Sequence, residues 1–216
     1  MGSAEAPLVV GELEGGRPLL QEVAVAGDLP VFVVRGSGPS TMVFLHGWCG
    51  SAMFYAHSFR RAAARRGTLV ALQGNVSCDT TADRDWSITP EGLHGRIEAA
   101  LAACGQSPGQ GNAILIGYSS GALYAEHLAM RWPERYTRVI LIASPEKPAV
   151  YRLRRMRAVV TMAPEIDVHD LPRAGASELN AAGIEAKFLV LPGASHGGMG
   201  TDPESAMDEA LQFVDR

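Results

Sequence analysis

The chain has 216 residues, 47% of them hydrophobic and 19% charged, which is enough apolar material for one sizeable core. Its formal net charge of −4 excludes the basic surface typical of nucleic-acid-binding proteins. No apolar run approaches the roughly 18 residues that a membrane span needs, and we expect neither a metal nor another cofactor.

The three cysteines, Cys49, Cys78 and Cys104, are odd in number and widely spaced. This spacing predicts neither a disulfide framework nor a metal site, and Cys49 is expected to be a packed thiol. The N-terminus lacks the basic and apolar segments of a signal peptide. Together these features favour a reducing compartment, so we expect a cytoplasmic protein.

The first part of the chain predicts strands of an antiparallel sheet. Short apolar segments are separated by the turn signals Gly15-Gly16 and Gly27-Asp28. The predicted strands are 8–11, 19–25 and 31–34.

From residue 41 onward, strands and helices alternate, which predicts a single α/β domain with a mostly parallel sheet and helices on both faces. The predicted strands are 41–45, 68–72, 113–116, 137–143, 158–162 and 186–191. The predicted helices are 51–66, 89–104, 122–130, 170–182 and 203–214, and the polar segment 73–87 is expected to be an irregular loop. No linker or repeat interrupts residues 1–216, and residues 1–6 are expected to be disordered or tag-derived.

A strand, a sharp turn and a helix are predicted to meet at Gly117-Tyr118-Ser119-Ser120-Gly121. In that context the pattern G-x-S-x-G predicts a nucleophile elbow with Ser119 at its apex. The flanking glycines fit because so tight a turn leaves no room for side chains. The backbone N–H of Ser120 would lie at a helix start, where developing negative charge is favoured. A serine that merely caps the helix is the simpler interpretation.

A serine nucleophile needs a base, and ligands bind such sheets outside the carboxyl ends of the strands. His196 follows the last predicted strand in a glycine-rich loop, which we expect to be flexible enough to bring its imidazole to the serine. His46 also follows a strand, but its place in the turn before Gly47 favours a structural role. His169 precedes the next helix, and the remaining histidines lie in predicted helices: His57, His94 and His127. An imidazole exposed to solvent is the plainer interpretation of His196.

The base in turn needs an acid that fixes its tautomer. Asp167, a few residues after the strand 158–162, is the favoured candidate. Glu165 and Asp170 are close rivals because the geometry of a loop cannot be predicted to a single residue, and Glu146, after the strand 137–143, is a fourth.

From about residue 20 to its end, the chain resembles the α/β-hydrolase superfamily. The resemblance rests on four stretches: His46-Gly47-Trp48, Gly117-Tyr118-Ser119-Ser120-Gly121, Ala163-Pro164-Glu165-Ile166-Asp167 and Pro192-Gly193-Ala194-Ser195-His196-Gly197. It implies that the backbone N–H groups of Trp48 and Ser120 form the oxyanion hole. The order Ser119, Asp167, His196 is that of the family. Ala163-Pro164 departs from the His-Gly that usually occupies this position, which weakens the Asp167 assignment.

The connection between residues 143 and 158 is too short for the helical lid that many relatives of this superfamily carry. A serine at the nucleophile position argues against a dehalogenase or an epoxide hydrolase. We expect an open, shallow mouth bordered by Trp48, Tyr118 and the 73–87 loop with Trp86.

These features predict a compact, lidless serine esterase that acts on small esters through an acyl-enzyme, as a monomer or homodimer. A thioesterase or an acyltransferase would use the same residues. A hydrolase fold that only binds a ligand or partner is the alternative from a different class, although it would not need a complete triad.

Overall fold

The structure, a computed structural model, describes residues 9–14, 17–79, 83–107 and 113–216. The first predicted strand's residue 8, the predicted turn at Gly15-Gly16 and the predicted disorder of residues 1–6 lie outside these ranges. The described part of the chain contains no helix long and apolar enough to cross a membrane.

The main strands are β1 (Val9–Glu14), β2 (Arg17–Val23), β3 (Val31–Val34), β4 (Ser40–Leu45), β5 (Gly67–Leu72), β8 (Ala113–Tyr118), β9 (Tyr136–Ile142), β10 (Ala158–Ile166) and β11 (Glu185–Ser195). Within the described ranges, these nine strands form one mixed sheet in the order β1-β2-β3-β5-β4-β8-β9-β10-β11. Strands β1 to β3 and the β3–β5 pair run antiparallel, and every pair from β5 to β11 is parallel. The predicted architecture is confirmed.

Helices cover both faces of the sheet, because successive side chains of the buried strands point to opposite sides. The helices are α1 (Ala52–Ser58), α2 (Arg60–Arg66), α3 (Pro90–Ala103), α4 (Ser120–Arg131), α5 (Val150–Leu153), α6 (Asp170–Ala181) and α7 (Pro203–Val214). In β4, Met42 and Phe44 pack in one core with α1, α2 and α7, whereas Val43 and Leu45 pack in the other with α3, α4 and α6.

The helix predicted over 51–66 is two helices, which meet at Phe59. The carboxylate of Glu204 accepts hydrogen bonds from the backbone N–H groups of Arg61 (3.0 Å) and Ala62 (2.6 Å). Because Glu204 lies in the first turn of the distant helix α7, this cap on the first turn of α2 is a tertiary contact that the local sequence does not reveal.

The segment 73–87 is less irregular than expected. It contains a two-stranded hairpin of β6 (Val76–Ser77) and β7 (Arg84–Asp85). Gly50 and Arg84 exchange two backbone hydrogen bonds of 3.0 Å each, which join this hairpin to the loop after β4.

The expectation that the cysteines form no disulfide is wrong. Cys49 and Cys78 are disulfide-bonded with a Cα–Cα distance of 5.7 Å, so Cys49 is not a packed thiol, and the third cysteine, Cys104, is buried and free. The bond is a second link between the loop after β4 and the 73–87 segment. Since stable disulfides are typical of oxidising environments, the cysteines no longer support a reducing compartment.

Reduction of this disulfide is expected to lower the free energy of unfolding by about 3 to 4 kcal/mol, because the bond closes a loop with a sequence separation of 29 residues. Thermal unfolding of the wild type with and without dithiothreitol measures the effect. The double variant Cys49→Ser/Cys78→Ser is the control, since the reductant should not shift its midpoint further. A wild-type midpoint that is insensitive to the reductant would contradict the expectation.

Candidate active site

Strand β8 leads directly into Ser119 and then into α4, at the carboxyl edge of the sheet. Ser119 has φ 52° and ψ −119°, a backbone conformation that is uncommon for any residue except glycine. Its N–H donates to Ile142 O on the neighbouring strand at 2.8 Å, and its carbonyl accepts from Ala122 N at 2.9 Å. The sheet and the helix therefore hold the serine in a strained turn.

The two glycines of the turn are required by close backbone contacts. A Cβ at Gly117 would lie 2.4 Å from the carbonyl oxygen of Gly121, and a Cβ at Gly121 would lie 2.2 Å from that of Leu45. Helix α4 can therefore start directly against β8 and β4 only with glycine at both positions.

The ends of β10 and β11 determine which acid lies beside which base. Both strands continue beyond their predicted ends, and Ile166 of β10 pairs with Ser195 of β11 after a bulge. The next residues, Asp167 and His196, are therefore neighbours. His196 Nδ1 lies 2.7 Å from Asp167 Oδ2, and His196 Nε2 lies 3.1 Å from Ser119 Oγ.

The environment of Asp167 favours the charged carboxylate. Partial burial acts to raise its pKa, but hydrogen bonds from His196 and from the N–H of Val168 outweigh that effect, so the pKa lies below its usual value. A carboxylate that accepts the Nδ1–H leaves Nε2 unprotonated and facing Ser119.

Two of the three rival carboxylates have other contacts in the structure, and the third lies at the start of a helix. Glu165 accepts the backbone N–H of Gly193 at 2.5 Å, Glu146 lies 3.4 Å from the guanidinium of Arg152, and Asp170 begins α6. Among the described residues, Asp167 is the carboxylate that contacts His196.

The loop that carries His196 is a tight turn rather than the flexible segment expected from its glycines. Gly198 N donates to Ser195 O, and Thr201 N donates to Pro192 O, both at 2.9 Å. Two buried tyrosines, Tyr55 and Tyr118, bind the same turn through their hydroxyl groups. The sequence analysis missed Tyr55, because it is one aromatic residue of a predicted helix that lies far from the serine motif in the sequence.

His46 and Gly47 place the loop after β4 against the serine. His46 is fully buried, and its Nε2 accepts from Gly74 N at 2.8 Å while Nδ1 lies 2.7 Å from Gly47 O. Burial lowers the pKa of His46, so the ring is neutral and structural. A Cβ at Gly47 would lie 2.9 Å from Ser119 Cβ, which shows how closely the loop backbone before Trp48 approaches the nucleophile elbow.

Of the three aromatic residues predicted to border the mouth, the structure exposes one. Trp48 is 74% exposed. Trp86 is buried, and its indole N–H donates to His46 O at 2.8 Å, so its side chain supports the loop after β4. Tyr118 is also buried, against the histidine turn.

Two exposed apolar side chains border Asp167, although the sequence analysis assigned them no role. Ile166 is 72% and Val168 is 61% exposed. Apolar surface therefore lies on both sides of the candidate acid.

The connection between β9 and β10 contains one short helix, α5. Residues 143–157 therefore form no lid domain over the carboxyl edge of the sheet. In the described part of the chain, no group of three or more His, Cys, Asp or Glu side chains is arranged to hold a metal ion.

A family model described as "Alpha/beta hydrolase family" matches residues 42–181. A comparison with curated proteins finds no match.

Among solved structures, the chain is similar to a carboxylesterase from Mesorhizobium loti, with 18% identity, a TM-score of 0.63 and coverage of 88% of this chain and 98% of that chain. A naproxen esterase (carboxylesterase NP) from Bacillus subtilis matches with 13% identity, a TM-score of 0.62 and coverage of 90% of both chains. A Bacillus cereus carboxylesterase matches with 15% identity, a TM-score of 0.62 and coverage of 85% and 93%. At these identities the likeness shows a common fold.

Proposed function

Since the chain belongs to the alpha/beta hydrolase family, we propose that it is a serine esterase that cleaves carboxylic esters of small acyl groups through an acyl-enzyme. The observation that carries the proposal is the continuous line of contacts from Ser119 Oγ to His196 Nε2 (3.1 Å) and from His196 Nδ1 to Asp167 Oδ2 (2.7 Å). The carboxylesterases among its structural neighbours support the choice of an ester substrate.

The proposed reaction has two halves. Ser119 Oγ attacks the ester carbonyl while His196 Nε2 accepts the hydroxyl proton, and the tetrahedral intermediate then expels the alcohol, which takes that proton from His196. Water, deprotonated by His196, next attacks the acyl-enzyme, and the acid product leaves as Ser119 recovers its proton. Asp167 orients the imidazole and stabilises its charged form.

The oxyanion of both intermediates is proposed to bind the backbone N–H groups of Trp48 and Ser120. Ser120 is the first residue of α4, so its N–H is one of those without a partner inside the helix. Gly47, which precedes Trp48, lies close against Ser119, since a Cβ at Gly47 would be 2.9 Å from Ser119 Cβ. Turnover of p-nitrophenyl acetate tests the proposal, and a purified protein without turnover of any short ester would overturn it.

Short acyl chains of about two to six carbons are expected to be preferred, because the burial of Tyr118 and Trp86 leaves few apolar walls beyond the exposed Trp48, Ile166 and Val168. A deep tunnel would increase kcat/KM roughly fourfold for each added CH₂, since each buried CH₂ is worth about 0.8 kcal/mol. We expect this gain to stop early, without a jump in activity at a lipid–water interface.

The value of kcat/KM across p-nitrophenyl esters from acetate to palmitate measures this preference, with the hydrolysis by Ser119→Ala subtracted as background. A steady rise to the longest chains would contradict it and would indicate a deep acyl tunnel.

A further inference from the structure

The backbone turn directly after His196 is bound by two buried tyrosine hydroxyls. Tyr118 accepts the N–H of Gly197 at 2.8 Å and donates its O–H to the carbonyl oxygen of Gly198 at 3.1 Å. Tyr55 donates to the carbonyl oxygen of Gly197 at 3.1 Å. Three polar backbone groups of two consecutive glycines are therefore satisfied by side chains from β8 and α1.

These glycines need such support, because glycine is the residue with the greatest conformational freedom. Gly197 has φ +90°, and a Cβ built on it meets no atom within 4 Å, so packing around its Cα does not fix this part of the turn. The hydrogen bonds to the two tyrosines supply the restraint that side-chain packing would give elsewhere.

The tyrosines are themselves rigidly held. Both are buried, and their ring centroids lie 4.8 Å apart. The ring centroid of Phe44 lies 5.2 Å from that of Tyr55, and the rings of Tyr118 and His196 form a T-shaped pair with centroids 6.0 Å apart. Burial raises the pKa of Tyr118 to about 12, so at neutral pH its hydroxyl keeps the proton that it donates to Gly198.

Tyr118 is also the residue before Ser119 in the chain, so a single side chain joins the turn of the nucleophile to the turn of the base. We infer that Tyr118 is a positioning residue that sets the separation of Ser119 Oγ and His196 Nε2, with Tyr55 supporting it from behind. The inference rests on the proposed function, in which His196 is the base that deprotonates Ser119.

The variant Tyr118→Phe removes the hydroxyl and keeps the ring, so it isolates the two hydrogen bonds. We expect kcat to fall roughly 10- to 100-fold with KM changed by about twofold or less, because a small displacement of a catalytic group affects the transition state more than substrate binding. Tyr55→Phe removes one bond and is expected to cause a smaller loss of kcat.

Tyr136→Phe is the matched control. Tyr136 is a fully buried tyrosine whose hydroxyl lies 2.8 Å from His94 Nδ1, in the core on the other face of the sheet. It should lose thermal stability as Tyr118→Phe does, while its kcat stays at the wild-type value. An equal fall of kcat in Tyr136→Phe would mean that lost stability alone explains the effect, and would overturn the inference.

Amide hydrogen exchange at Gly197 gives a readout that does not depend on activity. The exchange should be faster in Tyr118→Phe and unchanged in Tyr136→Phe. If the wild-type protein shows no ester turnover, the proposed function is overturned. The exchange rate at Gly197 then tests separately whether Tyr118 holds the turn after His196. Wild-type kcat or wild-type protection of Gly197 in Tyr118→Phe would overturn the inference.

Discussion

Ser119→Ala is expected to lower kcat/KM for a short p-nitrophenyl ester by ~10³-fold or more. The Ser119 hydroxyl is the proposed nucleophile. Among the described residues, it is the hydroxyl that forms a hydrogen bond with His196 Nε2. Residual hydrolysis would come from substrate binding and the oxyanion donors.

The fold should survive this change, because alanine can adopt the same backbone conformation as serine and the hydroxyl lies at the surface of the turn. Circular dichroism and the unfolding midpoint check this point. Ser58→Ala, in α1, is a control for the loss of a serine hydroxyl away from the site, and it should retain wild-type turnover. Ester turnover by Ser119→Ala close to that of the wild type would contradict the assignment.

Asp167→Asn is expected to lower kcat by ~10⁴-fold or somewhat less. An amide side chain in this position would allow the imidazole to place its proton on Nε2, where it could not accept the proton of Ser119. The Asp167 carboxylate accepts hydrogen bonds from both His196 and the N–H of Val168. The substitution should therefore change the tautomer of His196 more than the position of the loop.

Glu165→Gln and Asp170→Asn are the matched controls for this acid, because each replaces a carboxylate near Asp167 in the sequence with the corresponding amide. Both should cost far less activity, since Glu165 binds Gly193 and Asp170 begins α6. If either variant loses more activity than Asp167→Asn, the acid of the triad is misassigned.

Much of the architecture is predictable because the apolar runs of the central strands are unambiguous. Strand β3 was predicted with its observed bounds, Val31–Val34, and the alternation after residue 41 determines the parallel sheet. Gly117 also indicates the turn, since the atoms that exclude a side chain there belong to Gly121 and Ala122, four and five residues along the chain.

The remaining features depend on contacts between distant residues. The cap that Glu204 places on α2 and the disulfide between Cys49 and Cys78 join segments that are far apart in the sequence. The proximity of Asp167 and His196 likewise depends on a bulged register between β10 and β11, which no single-strand pattern reveals.

The aromatic residues show why a position near the site does not establish contact with substrate. Trp86 and Tyr118 follow strand ends or form part of the serine motif, yet both side chains are buried and bind the loops that carry functional groups. Burial, which follows from tertiary packing, distinguishes a side chain that supports a loop from one that faces solvent.

A fluorophosphonate reaction followed by peptide mass spectrometry tests the central claim most directly. The Ser119 oxygen should displace fluoride from phosphorus, which leaves one phosphonyl group per chain on the peptide that contains Ser119, in parallel with the loss of ester turnover. An adduct on another residue, or full turnover in a protein without an adduct on Ser119, would contradict a serine esterase that acts through Ser119.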